Sequence, residues 1–145
     1  MNKVLELNRY DMKVIEGYIT NIDKLRYRLK VRKLELLDNP IIDNPGGGKS
    51  NLPGDPVNRE VTLCLTDDYY NNLEKTIKAI EKVYNESDDD VKELCKLNYW
   101  EPKLHLDTWE KKAKHFYTSK TTLLRVRERF LRRIAEEMDY INSDF

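Results

Sequence analysis

Apolar residues recur at helical spacing along most of this chain, and that periodicity restricts the fold more than any other feature. Leu123, Val126, Phe130 and Ile134 are spaced three, four and four apart. Leu73, Ile77, Ile80 and Tyr84 repeat the pattern, and Ile15, Ile22, Leu29 and Leu36 fall seven apart with Tyr18 and Leu25 between them. Such stripes each present one apolar helix face and imply an all-α protein whose helices bury their stripes against one another. Charged residues make up 36% of the 145 residues, which suits helices with one wet face better than the thick core of an α/β enzyme.

Punctuation divides the chain. Residues 10–38 read as one long helix, ended by Pro40. Its heptad seam, with Arg32 at a third offset position, either packs inside its own chain or pairs with a second copy as a coiled coil. Residues 39–57 hold most of the glycine and proline and read as a long loop. A second helical region runs from about Asn58 to Glu86, with Val61 and Leu65 starting its stripe. Thr66-Asp67-Asp68 offers a cap for a restart, and the region can pair with the first helix as an antiparallel hairpin. Ser87-Asp88-Asp89-Asp90 reads as a helix N-terminus, where carboxylates favour the positive end of the dipole. Helices are then expected over about 89–99, 107–116 and 119–142, with Trp100-Glu101-Pro102 as a break. The expected architecture is an N-terminal long helical hairpin over 1–86 and a C-terminal helix-turn-helix domain over 87–145.

Several function classes find little support. Gly46-Gly47-Gly48-Lys49-Ser50 resembles a phosphate-binding loop only superficially. The position of its first required glycine is Asp43, no strand pattern precedes it, and Pro53 and Pro56 stand where the helix should start. A glycine hinge, with Lys49 available to DNA or a partner, fits better. Cys64 and Cys95 lie in apolar helical patterns and read as small buried hydrophobes; with His105 and His115 they do not form a zinc set. His105, between Leu104 and Leu106, reads as a turn residue. No catalytic grouping stands out, so neither catalysis nor a cofactor or metal is expected. No apolar run approaches the roughly 20 residues of a membrane span, and nothing before residue 20 resembles a signal peptide.

Charge supplies the positive lead. The chain is neutral overall, yet Lys111–Arg133 carries nine Lys and Arg against one acid, Glu128. That segment is +8 and the remainder −8. Thr108 can cap a helix with Trp109, Ala113 and Phe116 inward, and Ser119 can cap the next. A clustered positive field on two helices around a short turn points to nucleic acid. Lys120, Thr121, Leu124 and Arg125 would meet base edges, with Ser119 and Thr122 beside them. Lys111, Lys112, Lys114, Arg127, Arg129, Arg132 and Arg133 would meet phosphates. A second basic cluster, Lys24, Arg26, Arg28, Lys30, Arg32 and Lys33, reads as a solvated face, with DNA or RNA polymerase contact as the alternative.

The stretch LCKLNYWEPKLHLDTWEKKAKHFYTSKTTLLRVRERFLRRIAEEM is similar to the C-terminal half of RinA-type phage late-transcription activators, which itself resembles region 4 of bacterial sigma factors. DNPGGGKSN followed by LEKTIKAIEKVYNES resembles that family's middle section. The resemblance spans most of residues 10–140. It implies a DNA-binding transcriptional activator of phage packaging and morphogenesis genes, acting on promoter double-stranded DNA in the host bacterial cytoplasm. The mechanism expected with it is recruitment of host RNA polymerase through the N-terminal hairpin, and the heptad seam of residues 10–38 leaves open a homo-oligomer through the N-terminal helices. Lys112, at a usually apolar position, and Tyr117, at a turn that often holds Gly, Asp or Asn, depart from the pattern. The alternatives are a phage DNA-packaging component, such as a small terminase subunit, and a coiled-coil adaptor without DNA binding.

Overall fold

Short polar residues begin the helices. In the computed structural model, which describes residues 6–38 and 62–141, α1 spans Arg9–Thr20, α2 Ile22–Leu37, α3 Asp68–Glu86, α4 Asp89–Cys95, α5 Trp109–His115 and α6 Lys120–Glu137. Residues 62–66 are also helical, and no strand occurs among the described residues. The glycine-rich loop, the expected helix start at 58–61 including Val61, and Asn142 lie outside the described residues. Each expected cap is made. Asp67 accepts from the Tyr70 N–H at 2.8 Å, Asp88 from Val91 at 3.0 Å, Thr108 from Lys111 at 3.2 Å and Ser119 from Thr122 at 3.1 Å. Each bond satisfies one of the amides that a helix start leaves without an intrahelical partner.

The helix expected over 10–38 is interrupted at Asn21. There the Asn21 side-chain amide donates to the Gly17 carbonyl at 2.9 Å, alongside the Asn21 backbone N–H at 3.0 Å. The Gly17 carbonyl thus accepts two bonds from Asn21, whose backbone leaves the helical region at φ −100° and ψ 24°, and α1 ends one residue before α2 begins. Residues through Ile22 group with those from Lys78 onward, and Asp23–Ile77 group separately, so α3 contributes to both units. This grouping cuts across the expected boundary between 86 and 87, because α1 packs on α6 and on the segment that follows α4.

The larger unit holds the deepest core: Ile15, Ile19, Ile80, Val83, Leu131, Ile134 and Ala135 are essentially inaccessible. The chain leaves α4 through one π-helical turn, Lys96–Trp100, before Pro102. That turn aims the Trp100 indole N–H at the Ile19 carbonyl, 2.8 Å away, and sets its ring edge-to-face against Tyr84 at 5.2 Å. Asp11 is fully buried yet satisfied. It closes a capping box with Asn8 and accepts from the Tyr140 hydroxyl at 2.7 Å. Burial, followed by the hydrogen bond to Asp11, pushes the Tyr140 hydroxyl well above the usual phenol range. Burial alone raises the Cys95 thiol to about 12, which keeps it protonated.

In the smaller unit Leu25, Cys64, Leu73 and Ile77 are buried. Arg32, placed on the apolar seam by its spacing, meets Asp67 through two bonds of 3.0 and 2.7 Å and lies over the Tyr69 ring at 5.9 Å. The guanidinium holds the Asp67 carboxyl below the usual carboxylate range, helped by the Tyr70 amide.

Candidate nucleic-acid interface

Two helices joined by a tight turn build the site. Leu94 of α4, Ala113 of α5 and Leu123 of α6 form its buried centre, with Trp109, Phe116 and Val126 packed around them. Apart from Leu94, these are the side chains whose spacing predicts an inward face, and the small Ala113 stands in that centre. Phe130 and Ile134 continue the stripe inward as expected. Leu131 and Ala135 are buried as well, which widens the apolar face of α6 beyond the expected one. The physical reason is that α6 packs against α4, α5 and also α1.

The turn closes as a Schellman motif. The Thr118 N–H reaches the Ala113 carbonyl at 2.9 Å, and the Tyr117 N–H reaches Lys114 at 3.1 Å. This geometry needs a left-handed residue after the helix, and Tyr117 takes it with φ of 55°. Glycine would sit there without strain, whereas a Cβ meets the following carbonyl. The Tyr117 side chain is 96% exposed.

Tertiary neighbours sort the nine cations. Arg127 turns inward. It donates twice to Glu16 of α1, at 2.9 and 2.6 Å, and stands over the Trp109 ring at 5.8 Å. The Tyr99 hydroxyl, delivered by the π-helical turn, donates to the same carboxylate. Burial, then the Glu16 charge, drives that phenol far above its usual range, while the hydrogen bond to Glu16 raises Arg127. The expected phosphate contact by Arg127 is thus replaced by an internal ion pair. Lys112 is also drawn in. Its ammonium stands over Trp109 at 4.9 Å and is depressed by burial, so its stem covers the ring.

Surface pairs occupy four more. Lys111 meets Asp107 at 3.0 Å, Lys120 meets Glu110 at 2.8 Å, Arg132 meets Glu128 at 3.0 Å and Arg133 meets Glu86 at 3.5 Å. Arg132 is half-buried and its Nε lacks a hydrogen-bond partner. Pairs exposed to this degree contribute about 0–1 kcal/mol, so an arriving phosphate can displace the acid. Lys114, Arg125 and Arg129 are exposed and have no ion-pair partner among the described residues.

On α6, Thr121, Arg125 and Arg129 stand four apart, all exposed, on the face opposite Leu123 and Phe130. Leu124 is half-buried at the edge of that face. The Ser119 and Thr122 hydroxyls bond each other at 2.9 Å within the cap, so their first role is to start the helix. The sequence reading missed the Glu16–Arg127–Tyr99 group. Its available signal was Glu16, an acid directly beside the buried Ile15 on a helix with few other acids. His115, not assigned a site role, hydrogen bonds Glu93 at 2.8 Å.

Residues 8–136 match the family described as protein of unknown function, DUF722. The chain belongs to the DUF722 family. No curated protein and no solved structure matches it. The DUF722 match begins at Asn8, the cap of α1, and ends within the last turn of α6. It therefore includes Glu16 and Arg127, Tyr99 of the π-helical turn, and the whole of the α5–turn–α6 surface. No helix among the described residues is long and apolar enough to cross a membrane.

Proposed function

We propose that this chain is a sequence-specific double-stranded DNA-binding protein in which α5, the Phe116–Ser119 turn and α6 act as a helix-turn-helix. On this reading it is a transcriptional activator of phage late genes, akin to the RinA-type activators, with a surface like sigma region 4. The observation that carries the proposal is the exposed stripe Thr121, Arg125 and Arg129, whose two guanidiniums have no ion-pair partner among the described residues. Most basic side chains of the block are paired. An arginine pair left unpaired at i, i+4, beginning one turn into a long capped helix, matches what a major groove accepts. Arg125 and Thr121 would meet base edges, with Lys120 released from Glu110. Lys114 and Arg129 would meet phosphates, and Lys111, Arg132 and Arg133 would exchange their acids for phosphate. Arg127 and Lys112 belong to the scaffold that holds α6 in place.

A titration of duplex fragments from the surrounding genome at rising salt tests this. The logarithm of affinity should fall linearly with the logarithm of salt, by about 0.9 for each phosphate neutralised. Arg125→Ala should relax sequence preference by about 1–3 kcal/mol, as for loss of a bidentate base contact, whereas Arg129→Ala should weaken all sequences alike. Absence of salt-dependent binding to every fragment would overturn the proposal. Reporter transcription from an adjacent promoter, with and without the protein, then separates activation from packaging.

A further inference from the structure

The heptad seam legible in the sequence is largely used within the chain: Ile22 and Leu25 are buried, and Leu29 and Leu36 are half-buried. A different stripe of α2 faces outward. Tyr27 is 68% exposed, Val31 is half-buried and Leu34 is 51% exposed, at i, i+4 and i+7. Tyr69, at the start of α3, flanks them at 49% exposed, and Leu65 is also exposed. Tyr27, Arg28, Val31, Arg32, Glu35 and Tyr69 line an open groove of about 480 Å³. Four of the eight large exposed hydrophobic side chains of the described residues lie in this small unit, a concentration that a lone solvated face does not require.

We infer that this groove is a self-association surface, in which α2 pairs antiparallel with α2 of a second copy. The charges that flank the stripe select both the occupant and its direction. Arg28 and Glu35 lie seven apart on the same flank. In an antiparallel pair, Val31 stacks on Leu34 of the second copy. Arg28 then faces Glu35 of the second copy, and Glu35 faces Arg28, so one helix supplies both halves of two salt bridges. A parallel pair would bring Lys24 onto Lys24 and Asp38 onto Asp38 along the same seam. Arg28 has no ion-pair partner among the described residues, and the exposed Arg32–Glu35 pair at 3.2 Å exchanges readily. The stripe covers only about two helical turns, so the complex is weak and concentration-dependent. This inference is independent of the DNA-binding reading.

Sedimentation of the full chain without DNA, over a concentration series, provides the test. The wild type should show reversible dimerisation. Arg28→Glu and Glu35→Arg should each self-associate roughly tenfold more weakly, because two symmetry-related pairs change sign. An equimolar mixture of these two variants should dimerise as well as the wild type. Antiparallel pairing sets the introduced acid of one chain against the introduced base of the other at one end, and the retained Glu35 against the retained Arg28 at the other. In a parallel pair each position meets its own copy, so neither single substitution would weaken association and the mixture would exceed the wild type. Circular dichroism confirms that the exposed substitutions leave the helices intact. A wild type that is monomeric throughout, association indifferent to either single substitution, or a mixture no stronger than its components would each overturn the inference.

Discussion

Replacing Arg127 by methionine separates a scaffold arginine from a DNA-contacting one. The substitution deletes both bonds to Glu16, of 2.9 and 2.6 Å. Breaking a fully buried ion pair from one side costs about 3–5 kcal/mol, because the abandoned charge is left poorly solvated. Here the Arg127 and Glu16 side chains retain 21% and 19% exposure, and the Tyr99 hydroxyl still donates to the carboxylate. Water therefore reaches part of the orphaned charge, and the expected loss falls to about 2–3 kcal/mol. Methionine fills much of the volume of the arginine stem but also loses the guanidinium over the Trp109 ring, a contact of about 0.5–1 kcal/mol that lies within this range. Adding Glu16→Gln removes the orphaned charge and should recover about 1 kcal/mol of that loss, giving a non-additive cycle. Urea unfolding followed by circular dichroism reads these values, with the slope on denaturant unchanged. Under folding conditions the variant should bind DNA with the wild-type salt slope. A destabilisation below about 0.5 kcal/mol, or a salt slope smaller by about one phosphate, would show that Arg127 faces the ligand and would refute this account.

Three further outcomes follow from local geometry. Tyr117→Gly relieves a left-handed residue with an almost fully exposed side chain and should stabilise the protein by about 1 kcal/mol in thermal unfolding, whereas Tyr117→Val should not. Gly17→Ala adds a Cβ that meets nothing within 4 Å inside α1 and should raise stability by about 0.5–1 kcal/mol; a lower melting temperature would show that the helix needs glycine there. The Asp67 carboxyl is depressed by its bond to Arg32, so its folded pKa lies below its unfolded one. The stability it contributes is therefore fully present above about pH 4 and is lost as pH falls through the lowered value. Melting temperatures measured between pH 5 and pH 2 should fall more steeply for the wild type than for Asp67→Asn, and parallel curves would contradict the assignment.

Much of the helical framework is legible in the sequence because its causes are local. Caps such as Asp88 and Ser119 act within three residues, and stripes such as Leu123, Phe130 and Ile134 follow from the helical repeat. The break at Asn21 is harder to read, since a continuous apolar period runs through it and the only local mark is a cap residue whose side chain and backbone both bond Gly17. The π-helical turn has no periodic signature at all, yet it delivers Tyr99 and Trp100 to α1.

The candidate interface divides the same way. Residue spacing placed Lys120, Thr121, Leu124, Arg125, Glu128, Arg129 and Arg132 on the outward surface of α6, and counting located nine cations in one segment. Which of those cations stay unpaired depended, apart from the Glu128 partner of Arg132, on acids outside the block. Glu16 comes from α1 and Glu86 from α3, while Asp107 and Glu110 lie just before the block. Helical spacing repeats every few residues and so is written into any short stretch of sequence. Charge neutralisation depends on which helices approach, and that is set by packing among residues as far apart as Glu16 and Arg127. The sequence by itself determined most of the helices and the main line of their inward faces; the tertiary structure decided that Lys114, Arg125 and Arg129, rather than the whole basic block, are left exposed and unpaired among the described residues.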